Sequence, residues 1–205
     1  MKYKILKYIG FFGLLCVISL FPSNSIACGH EGVYLGVGYS QLFMFTNAIQ
    51  NNPFGGGAKV KFGPGYGGHF IVGYDFPGSR WGIQIPFEIN RLKLNQSEWV
   101  NFIDLSLEGV LHIVEWKNGV DFHLVGGAGW SYLTDGSIDN NSQAGGISAS
   151  FGPGLSYYFA RTEKVSASLT LEAPFRFIRF FGDNISRGGA SVFAFPIRIG
   201  MQVGF

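Results

Sequence analysis

The feature that most constrains this chain is an alternation of apolar and polar side chains with a period of two. Trp81, Ile83, Ile85, Phe87 and Ile89 share one face, and Gln84, Glu88 and Asn90 share the other. Ala167, Leu169, Leu171, Ala173, Phe175 and Phe177 oppose Ser166, Ser168, Thr170, Glu172 and Arg176. Ile147, Ala149, Phe151, Leu155, Tyr157 and Phe159 oppose Ser148, Ser150, Gly152, Gly154 and Ser156. Only an extended strand sends every second side chain to the same side. Eight such runs are predicted, at about 33–44, 66–76, 80–92, 99–115, 121–133, 146–159, 165–179 and 190–205. Helical periodicity is absent from the chain after its first segment, so one all-β domain is expected.

The connections alternate in length. Short turns are expected at Pro77-Gly78-Ser79, Asn118-Gly119 and Arg161–Lys164, and longer polar segments at 45–65, 93–98, 134–145 and 180–189. Asn-Gly favours a two-residue type I′ hairpin, because both central positions need positive φ. That turn would set His123 opposite Val114 and Val125 opposite His112, and would leave His112 and His123 diagonal on one face.

Composition decides which face is outside. Charged residues are only 14% of the chain, while there are 31 Gly and 21 Phe. The polar face consists of Gly, Ser and Thr with isolated charges, too neutral for a surface in water. A membrane barrel inverts the soluble pattern, with apolar side chains toward lipid and polar ones toward the lumen. The aromatics support this. Phe76, Trp81, Phe122, Tyr157, Phe159 and Phe205 lie beside the short turns, and Tyr66, Trp130, Tyr132, Phe175 and Phe177 lie toward the long segments. Two girdles separated by aliphatic residues fit the two interfaces of a bilayer.

The first residues read differently. Lys2, Lys4 and Lys7 precede an apolar run from Ile9 to Phe21, then Pro22 and the small residues Ser25 and Ala27. This pattern predicts a secretory signal peptide over 1–27 and a barrel domain over 28–205. Removing those three lysines leaves 12 of the 15 basic residues against 13 acidic ones, so nothing points to nucleic acid. Cys28 then stands alone and no intrachain disulfide can form. Two readings of Cys28 stay open: lipidation, because Ser25-Ile26-Ala27-Cys28 resembles a bacterial lipobox with Ser25 at its weakest place, or an ordinary cut leaving a free thiol.

The chain ends on Arg198-Ile199-Gly200-Met201-Gln202-Val203-Gly204-Phe205. Arg198, Gly200, Val203 and Phe205 resemble the terminal assembly signal of bacterial outer-membrane β-barrel proteins. With the leader and the alternation, the whole predicted mature chain resembles the small eight-stranded outer membrane protein A and X type. The resemblance implies an antiparallel up-and-down transmembrane β-barrel with short periplasmic turns and longer extracellular loops. It implies the outer membrane as location, a last strand that closes on the first, and the barrel-assembly machinery as a partner during biogenesis.

An eight-stranded lumen is just wide enough for side chains to fill. Glu88, Asp104, Glu108, Glu172, Arg176 and Arg198 are therefore expected to meet inside as a charge network. Two histidines without a third ligand do not make a zinc site, so no metal or cofactor is expected. Lipid A deacylases carry a His-x-Ser pair that none of His30, His69, His112 and His123 begins, and the palmitoyl-transfer family needs its triad at the other rim. The expectation is a non-enzymatic monomer with a structural or surface-interaction role, binding any extracellular ligand through 45–65, 134–145 and 180–189. The alternative is a narrow channel or transporter for a small or hydrophobic solute, and the third reading is a lipid A-modifying enzyme.

Overall fold

The computed structural model describes residues 31–46, 61–94, 98–134, 143–162, 164–181 and 190–205. The expected signal peptide, Cys28, and most of the long loops lie outside the described residues. Nine strands follow in chain order: β1 (Gly32–Thr46), β2 (Gly65–Asp75), β3 (Trp81–Leu94), β4 (Glu98–Glu115), β5 (Val120–Thr134), β6 (Gln143–Arg161), β7 (Ser166–Glu172), β8 (Phe175–Phe181) and β9 (Ala190–Gly204). Each strand pairs antiparallel with its neighbours, and β1 pairs with β9 from Tyr34↔Gly204 to Thr46↔Val192, closing the sheet into a ring. The Phe205 amide donates to the Val33 carbonyl at 2.8 Å, so the seam is bonded to the last residue. Closure removes the free edge that lipid would not tolerate.

The run expected as one strand over 165–179 is divided into β7 and β8. Both pieces pair with β6 on one side and β9 on the other, so the ring keeps eight strand positions. Pro174 is the physical cause, because it has no N–H for the ladder. The Ala173 amide reaches across to Pro153 O at 2.9 Å. Gly152 makes room for the break: a Cβ there would lie 2.4 Å from Pro174 Cα.

The second correction concerns the Asn118-Gly119 turn. It is not a two-residue I′ hairpin. Gly119 has φ 84° and its amide donates to Trp116 O at 3.0 Å, while the Trp116 amide donates to Val120 O at 2.7 Å. That is the longer turn with a glycine bulge. Glu115 then faces Asp121 and Val114 faces Phe122, and a further irregularity between His112 and Val114 sets His112 directly opposite His123.

The faces divide as the alternation requires. Ile85 is 47% exposed and its neighbour Gln84 1%, so the apolar row points away from the barrel and the polar row into it. Trp81, Tyr157, Phe159 and Phe205 project outward beside the short turns, and Tyr66, Trp130, Phe175 and Phe177 project outward elsewhere on the wall. Among the described residues no helix is long and apolar enough to cross a membrane, and the spanning elements are strands.

Candidate functional site

The lumen is the only interior this sheet encloses, and its filling changes along the barrel axis. Register explains the middle layer. Glu88 on β3 faces Asp104 on β4, Gln84 faces Glu108, and Glu172 on β7 faces Arg198 on β9. Like charges placed directly opposite are unfavourable. Arg176 spans that pair: its Nη2 donates to Glu88 Oε1 at 2.8 Å, and its Nη1 lies 3.3 Å from Asp104 Oδ2. The second contact is an ion pair without hydrogen-bond alignment.

Arg198 is the hub. Its Nε donates to Glu88 Oε1 at 2.8 Å, its Nη1 to Glu108 Oε2 at 3.0 Å and Glu172 Oε2 at 2.9 Å, and its Nη2 to Glu108 Oε1 at 3.1 Å. The small residues of the polar face complete the shell. Ser40 donates to Glu88 at 3.2 Å, Ser150 to Glu108 at 3.0 Å, and Ser131 and Ser148 to Asp104. Gln84 donates to Glu108 at 3.0 Å and accepts from the Tyr34 hydroxyl at 3.1 Å. All six charged residues singled out from the sequence thus lie in one buried cluster.

Toward the short-turn rim lies a group that sequence reasoning did not assemble. Asp121 Oδ2 is 3.0 Å from both His112 Nδ1 and His123 Nδ1. His112 Nε2 is 3.3 Å from Asp75 Oδ1, and His123 Nε2 is 3.6 Å from Glu172 Oε1. The result is a continuous chain, Asp75–His112–Asp121–His123–Glu172, that joins the Arg198 cluster. Gly154 provides the space, since a Cβ there would fall 2.1 Å from His123 Nε2. The corrected hairpin register produces this group by bringing the two imidazoles opposite one another. A third donor, the one the sequence reading lacked, is Asp121. Its signal was present: it shares the lumenal phase of His123, two residues on.

Toward the long-loop rim the lumen is apolar. Leu42, Leu92, Phe102, Leu133, Ile178 and Phe180 are completely buried and pack together, with Phe62 against them. The expected all-polar lumen is thus corrected at this end. Strand phase carries the sequence Gln84, Glu88, Asn90, Leu92 inward without a break. Near the rim both faces are apolar, as in Phe102-Ile103, so the alternation fades there.

The four residues of the terminal motif divide between faces. Arg198 and Gly200 are buried in the lumen, while Phe205 is exposed on the outer wall and Val203 is half-buried.

A family model described as "Outer membrane protein beta-barrel domain" matches residues 12–196. The chain belongs to this family of outer-membrane β-barrel proteins. Its location is the bacterial outer membrane. Neisserial surface protein A is similar over 88% of this chain and 100% of its own, with 13% identity and a TM-score of 0.60. The outer membrane protein AlkL, solved in lipid bilayers, is similar over 89% of this chain and 93% of its own, with 16% identity and a TM-score of 0.52. Ail, the attachment invasion locus protein of Yersinia pestis, covers 84% of this chain and 99% of its own, with 16% identity and a TM-score of 0.46. At these identities the likeness is one of fold. No curated protein matches the sequence.

Proposed function

We infer that this protein is a closed, non-catalytic outer-membrane barrel whose role lies at the extracellular face, with the loops 45–65, 134–145 and 180–189 as its recognition surface. One observation carries the reading: among the described residues, buried side chains occupy the middle of the lumen and its long-loop end. The Arg198 cluster occupies its middle, and Leu42, Phe102, Leu133 and Phe180 close its outer half. An aqueous ion would have to break several charge-assisted bonds and then cross a dry apolar layer, at a cost of several kcal/mol. What the rigid wall leaves available for recognition is its rim.

The apolar outer lumen favours one second reading, a narrow passage for a hydrophobic solute, which would have to displace that packed layer. Planar-bilayer recording separates the two. The folded protein should insert without unitary conductance, and uptake of hydrophobic solutes by cells should not depend on it. Steady single-channel current, or solute uptake lost on deletion and restored by the gene, would overturn the closed-barrel reading. Lipid A from a deletion strain should have an unchanged mass spectrum.

A further inference from the structure

We propose that His112, His123 and Asp121 form a binding site for one divalent transition ion of the zinc class, at the periplasmic end of the lumen. The three donor atoms lie within 4.8 Å of one another and all three residues are buried. Separations of 3.0 Å between Asp121 Oδ2 and each Nδ1 are close to the ligand–ligand spacing around a small ion with bonds of about 2.0–2.1 Å. Two imidazoles and a carboxylate form a donor set that suits such ions.

Three further observations point to a ligand. First, Asp121 is fully buried, yet its Oδ1 has no hydrogen-bond partner. A buried carboxylate oxygen without a partner is costly and calls for an additional cation or donor. Second, the far nitrogen of each imidazole faces a carboxylate, Asp75 Oδ1 at 3.3 Å and Glu172 Oε1 at 3.6 Å. That is the carboxylate–histidine arrangement that orients metal-bound imidazoles, with the N–H on the outer nitrogen and the lone pair toward the ion. Third, the described lumen holds six buried carboxylates, Asp75, Glu88, Asp104, Glu108, Asp121 and Glu172, against only two buried arginines.

The two rings lie with their centroids 5.8 Å apart, and each turns its Nδ1 to the shared Asp121 carboxylate. A divalent ion bound there would take the place of protons on the two Nδ1 atoms. The site is independent of the closed-barrel reading, since it concerns the periplasmic end of the lumen and not the loops.

The test uses the untagged mature chain, folded in detergent micelles, stripped with a chelator and titrated with Co²⁺ while visible absorption is recorded. One ion per chain should bind, giving the intense bands of a low-coordinate nitrogen–oxygen site, and Zn²⁺ should displace it. The His112→Gln/His123→Gln double variant, which keeps His30, His69 and Cys28, should lose affinity by more than the roughly 100-fold at which changes to outer-shell partners end, because it removes two ligands at once. Asp75→Asn and Glu172→Gln should each weaken binding about 10–100-fold without changing the stoichiometry. Should a variant fail to fold, X-ray absorption on the wild-type Zn²⁺ complex decides alone, because it must show two imidazole nitrogens. The proposal falls if the double variant binds as the wild type does, if the wild type binds nothing below millimolar Co²⁺, or if the wild-type Zn²⁺ shell is all oxygen.

Discussion

Arg198 touches Glu88, Glu108 and Glu172, and is 1% exposed. Removing it leaves three carboxylates short of the cation they share, and breaking a buried pair by deleting one partner costs about 3–5 kcal/mol. Arg198→Met should therefore lower the free energy of unfolding from lipid vesicles, measured by urea titration, by that amount. Arg161→Ala is the comparison: Arg161 holds Glu115 at 2.7 Å but sits in the open beside a turn, where such pairs contribute about 0–1 kcal/mol. Equal losses from the two changes would contradict the account of the lumen as a connected ion network. The charges themselves were legible from the sequence because each falls on the polar phase of an alternating strand. Asp121 shares that phase with His123, but it and Asp75 stand at strand ends beside turns, where phase alone does not separate the lumen from water, so neither was drawn into the network. The histidine pair was placed on the correct face but in the wrong register. Asn118-Gly119 fits both a two-residue turn and the longer turn with Gly119 at positive φ, and only the three-dimensional course of β4 and β5 separates them.

A strand in this barrel meets three environments along its length, and substitutions should follow position rather than residue type. Ile85 and Leu169 lie on the outer face of β3 and β7, while Ser168 is 1% exposed inside. Ile85→Arg and Leu169→Arg should each cost about 2–4 kcal/mol for folding into liposomes, if the site falls near the bilayer midplane. Ser168→Arg should fail through crowding instead, losing folding yield in detergent as well as in lipid. Small, equal effects of the two outward changes would mean that the outer wall does not face hydrocarbon. The strand pattern was readable because the outward row stays apolar through the middle of the strands, with charges such as Arg91 and Lys93 only near the long-loop rim. The division of the seventh strand was not, since Pro174 sits within an unbroken alternation, and its consequence depends on Gly152 across the ladder. The apolar outer lumen was hidden for a related reason. Where both faces carry apolar residues, period two vanishes from the sequence although the strand continues.

At the scale of the whole molecule, the described strands form one closed ring whose seam joins β1 to β9. β1 and β9 pair over their length, and the Phe205 amide bonds to Val33 O at 2.8 Å. That bond uses backbone alone, so it survives any residue at 205 but proline. The Phe205 ring is 59% exposed on the outer wall at the short-turn rim. Its partial burial at the interface is worth about 1–2 kcal/mol, a modest part of the stability of a closed barrel. Phe205→Ala should therefore fold in detergent and show the heat-dependent gel shift of an intact barrel. On the proposal that Arg198, Gly200, Val203 and Phe205 act as the assembly signal they resemble, the same variant should accumulate several-fold less in the outer membrane of cells. Adding one alanine after Phe205 keeps the ring, the seam and the strand, and displaces only the terminal position of the aromatic. It should reduce abundance similarly. The measurement is outer-membrane abundance beside heat-modifiable mobility. Normal abundance of both variants would assign Phe205 to the interfacial girdle alone, and loss of the heat shift in detergent would make its role one of stability.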